Sequence, residues 1–122
     1  MEPTDRSIDH LTALVRDFAE RREWGQFHTP RNLILALVGE VGELAAEVQW
    51  SPDDVSVEQL KDAEKRDAVA AEMADVLNYL LRLSEVLHID LVAALEAKLA
   101  LNETRYPVDK ARGSSDKYTK YE

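Results

Sequence analysis

Between Asn32 and Val48 the chain reads NLILALVGEVGELAAEV, with apolar residues on nearly every side of a helix rather than along one stripe. Such a helix cannot lie on a surface, so this segment should be central and packed by neighbours around most of its circumference. Thr29-Pro30 supplies a capping side chain and then proline at the first helical position, where its missing N–H costs nothing. The helix is expected from Pro30 to about Gln49, stopped by Ser51-Pro52-Asp53-Asp54. A chain of 122 residues has room for one core. Three further short helices cannot easily cover this one, so a homodimer or homotetramer is expected.

The other elements read as helices too. Ile8, Leu11, Leu14, Val15, Phe18 and Ala19 recur at helical spacing from Ser7 to about Glu23, with Thr4 or Ser7 as N-cap. Trp24-Gly25-Gln26-Phe27-His28 reads as a loop. A third helix runs from about Asp62 to Leu87, with a looser start as early as Ser56 through Val57 and Leu60. Asp90 caps a fourth, which ends near Arg105-Tyr106-Pro107. Four helices without a strand signal make an all-α, four-helix bundle-like protomer. Residues 1–112 are expected to form the domain and residues 113–122 a flexible tail. From Val108 onward there is no hydrophobic periodicity, and this segment is +1 against −10 for the rest.

That charge excludes whole classes of function. Fifteen Lys and Arg against 24 Asp and Glu repel nucleic-acid backbones and anionic membranes, so no polynucleotide partner is expected. The N-terminus has acids where a secretory signal needs a basic start, and no apolar stretch approaches a membrane span. No cysteine is present, which removes thiolate metal sites and thiol nucleophiles and fits a reducing cytoplasm.

Against this background the acids inside apolar sequence stand out. Glu40 and Glu43 are three apart on the second helix, and Glu72 and Asp75 three apart on the third. Each pair therefore projects from one face. No basic residue occurs between Arg31 and Lys61 or between Arg66 and Arg82 to neutralise them. If the two helices pack antiparallel, four carboxylates converge, and unpaired anions in a low-dielectric groove need a cation or raised pKa values. Carboxylates without His or Cys are hard oxygen ligands suited to Mg²⁺ or Mn²⁺. A di-iron bundle needs Glu-x-x-His on two helices, a pattern absent here. Gly39 and Gly42 cost about 1 kcal/mol each inside a helix, pointing to close approach by another helix or a ligand.

These pairs resemble the signature of the MazG-like all-α nucleoside triphosphate pyrophosphohydrolases. The run from Glu23 to Asn32 (EWGQFHTPRN), Gly39-Glu40-Val41-Gly42-Glu43-Leu44, Gln49-Trp50, Arg105-Tyr106-Pro107 and Ser114-Ser115-Asp116-Lys117-Tyr118 extend the likeness to the dCTP pyrophosphatase branch, over about residues 7–118. The resemblance implies Mg²⁺-dependent hydrolysis of dCTP-like nucleotides, including base-modified ones, to monophosphate and pyrophosphate. It implies metal ligands at Glu40, Glu43, Glu72 and Asp75. Trp24 and Trp50 match aromatic positions around the base, Tyr79 and Asn102 match sugar or base contacts, and Lys98, Arg105, Lys117 and Tyr118 fall on the phosphate side. His28 joins the substrate-binding set. Val15 stands where some members carry a histidine near the base, so the nucleobase preference is not carried over.

Two other readings compete. A catalytically silent helical adaptor would keep the bundle and bind nucleotide or protein; four intact acids argue against it. A related dUTP or broad-NTP pyrophosphatase would share the acids and differ in pocket shape.

Overall fold

The computed structural model describes residues 6–51 and 59–122. Helix α1 spans Ile8–Arg21, a short 3-10 turn Trp24–Phe27, α2 Pro30–Ala46, a second such turn Gln59–Lys61, α3 Ala63–Val86, α4 Leu91–Arg105, α5 Val108–Ala111 and a last 3-10 turn Tyr118–Tyr121. Among the described residues there is no strand. No described helix is long and apolar enough to cross a membrane.

The helix starts follow the sequence chemistry. Ser7 Oγ accepts from the His10 N–H at 3.1 Å, Thr29 Oγ1 from Asn32 at 3.2 Å and Asp90 Oδ1 from Ala93 at 3.1 Å. Each satisfies one of the first-turn amides that a helix cannot pair itself. Several boundaries shift. α2 ends at Ala46, three residues short of the expected Gln49, in a turn where Glu47 donates its N–H to Leu44 at 3.2 Å. The loop after α1 is a 3-10 turn entered through Glu23 at φ 55°. α3 ends where His88 takes φ 55°, a left-handed conformation that carries the chain out of the helix. Thr4 as a cap, the start of α3 near Ser56 and the stop at Pro52-Asp53-Asp54 lie outside the described residues. Leu60 sits in the short turn ahead of α3.

The chain divides into two compact units, the first ending at His88 and the second running from Ile89 to Glu122. The break falls inside the stretch 1–112 that the sequence reads as one domain. In the first unit α3 is the shared element, packed by α2 along its length and by α1. The contacts fix direction. Arg82 meets His28 just before α2, Glu72 and Asp75 meet Glu40, and Lys65 meets Glu47. Positions rise along α2 as they fall along α3, so the two helices are antiparallel.

The apolar interior is thin. Ala19, Leu33 and Leu81 are its fully buried hydrophobic residues among those described. On α2, Ile34, Leu35, Val38 and Val41 stay exposed, so within one chain this helix is covered on only part of its circumference, less than its sequence demands. The space above Gly39 and Gly42 is likewise open, with nothing within 4 Å of where a Cβ would stand, so the close approach expected there is not made by the described residues. Between α1 and α3 lies an open apolar groove of about 390 Å³, walled by Leu11, Leu14, Phe18, Leu77 and Leu81.

In the second unit, the segment without periodicity finds aromatic partners. Tyr118 and Tyr121 pack edge-on against Tyr106, with ring centroids 6.0 and 6.1 Å away. Lys110 Nζ donates to the Tyr121 carbonyl at 3.3 Å. Two rings a turn apart folding onto a third leave no hydrophobic period in the sequence.

Candidate active site

Antiparallel packing turns two i, i+3 pairs into one cluster. Carboxylate oxygens of Glu40 on α2 and of Glu72 and Asp75 on α3 lie within 4.8 Å of one another. Glu40 and Glu72 are half-buried and Asp75 is exposed. Glu43, one turn further along α2, is exposed and lies outside this group of three. It still acts at a distance. Glu72 is pushed above the ordinary carboxylate range by desolvation first, and then by the negative charges of Glu40, Asp75, Glu43 and Glu47.

Glu47 is the fifth acid, one turn beyond Glu43, and it has a partner. Its Oε2 lies 3.4 Å from Lys65 Nζ, so the ion pair closes the end of the acidic row. The other acids in the row have no ion-pair partner among the described residues.

At the opposite end of α3 the residues between α1 and α2 form an aromatic corner. Trp24 stands edge-on to Phe18 at 5.8 Å and to His28 at 6.3 Å. With Asn78, Tyr79 and Arg82, Trp24 and His28 line a small cavity of about 30 Å³, to which Val15 also contributes. His28 Nδ1 accepts from Arg82 Nε at 2.9 Å. Burial, and then the Arg82 charge, hold its pKa below the ordinary imidazole value. Arg82 Nη1 also reaches Glu85 Oε2 at 3.4 Å, and Glu85 Oε1 takes Arg16 from α1 at 3.3 Å.

The structure thus brings Trp24, His28 and Tyr79 together. Trp50 does not join them: it is 91% exposed, at the edge of the described segment. Lys98, Asn102, Arg105, Lys117 and Tyr118 all belong to the second unit. There Arg105 stacks over the Tyr118 ring at 4.6 Å, and both line a cavity of about 190 Å³ with Lys110 and Tyr121. Lys98 is exposed on α4, Asn102 is half-buried one turn later, and Lys117 is exposed at the start of the last turn.

Sequence reasoning passed over Arg82, Glu85 and Lys65. A lone arginine in the apolar run DVLNYLLRLSEVL was the available signal for the first, since a buried guanidinium needs acceptors.

Comparison with known proteins converges on one group. A model of the MazG-like family matches residues 37–120. Proteins named dCTP pyrophosphatase 1 from Bos taurus and Homo sapiens are each 48% identical over 118 residues, covering 97% of this chain and 68% of theirs. The crystal structure of a pyrophosphatase from Archaeoglobus fulgidus superposes with a TM-score of 0.74 at 35% identity, covering 88% of this chain and 98% of that one.

Proposed function

This chain belongs to the MazG-like family, and on that footing we propose that it hydrolyses dCTP-like deoxynucleoside triphosphates, including base-modified ones, to monophosphate and pyrophosphate. The observation that carries the reading is the meeting of Glu40, Glu72 and Asp75, three acids from two helices with no ion-pair partner among the described residues. The donor set fits Mg²⁺ or Mn²⁺. Carboxylate oxygens within 4.8 Å of one another are close enough for all three residues to hold one such ion. Glu43, one turn away and without an ion-pair partner among the described residues, is the fourth ligand in this reading.

Held by Glu40, Glu72 and Asp75, a divalent ion would supply charge neutralisation for the triphosphate and Lewis-acid activation of the phosphoryl group. The chain's own residues do the rest. Trp24 offers its face to the nucleobase, with Tyr79 beside it, and Trp50 supplies a second ring. Asn102 contacts sugar or base, while Lys98, Arg105, Lys117 and Tyr118 serve the phosphates. Cations suit the phosphate end because an acidic body would otherwise repel a polyanion.

Two further parts of the reading rest on the surface and composition. The exposed apolar row on α2 supports a homodimer or homotetramer. The lack of cysteine supports residence in the cytoplasm.

The test is a panel of dNTPs and NTPs with Mg²⁺, assayed separately for pyrophosphate and orthophosphate. Release of pyrophosphate from dCTP and its modified forms is expected. Orthophosphate as the first product, or indifference to every nucleotide, would overturn the reading.

A further inference from the structure

Arg82 is the one charged residue among those described that is buried, with 7% of its surface exposed. A buried charge is costly unless each of its bonds is made. Its Nε–H goes to His28 Nδ1 at 2.9 Å and its Nη1 to Glu85 at 3.4 Å, while Nη2 lies 3.8 Å from where a Cβ on Gly25 would stand. Glu85 is itself held by Arg16 across from α1. The guanidinium is therefore bonded on two sides, by Glu85 of its own helix and by His28 ahead of α2, and α1 steadies Glu85 through Arg16.

A guanidinium has donors only and stays charged throughout the working range of a protein. The imidazole nitrogen facing it must accept, so Nδ1 carries no proton and the neutral ring carries its proton on Nε2. Protonating Nδ1 would delete the acceptor and set an imidazolium against a guanidinium. The cavity beside this ring, about 30 Å³, admits a water or a carbonyl group and not a whole base.

We propose that Arg82 is a positioning residue that locks His28 as the Nε2–H tautomer, so that the ring offers the ligand one hydrogen-bond donor and no acceptor. His28 is then neither a general base nor an acid. It selects a carbonyl or an unprotonated ring nitrogen on the nucleobase edge, and disfavours an amino group at that point. This selection rests on the nucleotide reading above; the tautomer does not.

Long-range ¹H–¹⁵N spectra of the full, nucleotide-free chain test the lock directly, with His28 assigned by comparison with His28→Gln. The ring should be Nε2–H alone, without the minor tautomer that free imidazoles show. Appearance of the Nδ1–H form in the unsubstituted protein overturns the proposal, and this measurement does not require any variant to fold. Next, kcat and KM for dCTP are compared for Arg82→Met, His28→Ala and the double variant. Each single change should raise KM roughly three- to tenfold, the scale of one hydrogen bond, with kcat changed less. The double variant should be no worse than His28→Ala alone, because Arg82 acts only through the His28 ring, whose tautomer and orientation it holds. Additive losses, or an unchanged KM in a folded Arg82→Met protein, would overturn the positioning role. If no nucleotide is a substrate, the proposed function fails while the spectra still decide the tautomer.

Discussion

Glu47 and Lys65 face each other across α2 and α3, Oε2 to Nζ at 3.4 Å, at the end of a row of acids that otherwise have no ion-pair partner among the described residues. The pair is partly exposed, so its own stability contribution is small, at most about 1 kcal/mol. Glu47 is also one of the negative charges that raise Glu72. Removing the lysine frees Glu47 to repel its neighbours and to attract cations.

Lys65→Met should therefore tighten Mn²⁺ binding roughly two- to fivefold and lower the metal-free melting temperature slightly. Titration calorimetry and melting without metal measure the two halves. Weaker metal binding would show that Lys65 helps hold the site rather than compete with it.

Glu72→Gln and Asp75→Asn should abolish turnover while leaving the helices intact. A neutral amide keeps the shape and relieves repulsion, so the metal-free protein should melt at the same temperature or higher. The pH dependence follows from the raised Glu72 value. Between the ordinary carboxylate range and that raised value, the folded chain binds more protons than the unfolded one, so metal-free stability falls as pH rises through that window. Glu72→Gln should flatten this slope, and melting curves from acid to neutral pH would reveal an unaltered one.

Trp24 and Trp50 should separate folding from binding. Trp50→Ala should leave the melting temperature unchanged, since the ring is 91% exposed. If it stacks on a base, KM should rise roughly fivefold or more, matching about 1–3 kcal/mol per stacked ring. Trp24→Ala removes edge contacts to Phe18 and His28 and should also cost about 1 kcal/mol of stability.

Tyr118→Phe keeps the ring on Tyr106 and beneath Arg105, and removes only the hydroxyl. Melting should not change, whereas KM for the triphosphate should rise several-fold through loss of one polar contact to phosphate. Deleting residues 113–122 removes two ring contacts as well and should lower stability by about 1–3 kcal/mol. A deletion that melts like the intact chain would show those contacts to be energetically idle.

Sedimentation at micromolar concentration should show a dimer or larger, because Ile34, Leu35, Val38 and Val41 lie exposed on α2. A stable 13.8 kDa monomer would leave that row unexplained.

What the sequence disclosed, and what it hid, divides along physical lines. Helix starts were readable because Ser7, Thr29 and Asp90 act within three residues of themselves. The meeting of Glu40 with Glu72 and Asp75 was readable because helical i, i+3 spacing and antiparallel packing of neighbouring helices are general rules. The Arg82–His28 bond spans 54 positions and obeys no period. The same holds for Lys65 with Glu47, and for the tyrosines that give the last segment its contacts.

The half-open seam between α1 and α3 has a consequence for motion. α1 buries Ala19 but leaves Leu14 and Phe18 about half exposed, and the groove of about 390 Å³ beside them means its apolar face is only partly paired. Opening such a helix forfeits little burial, so its amides should exchange with solvent through a local event well short of global unfolding, while those along the α2–α3 contact wait for the whole unit to open. The Arg16–Glu85 pair is the clasp on that event, and it leads to Arg82 and His28. A ligand gripped by His28 would thereby slow exchange in a helix it need not touch, and α1 amides would serve as a remote gauge of occupancy.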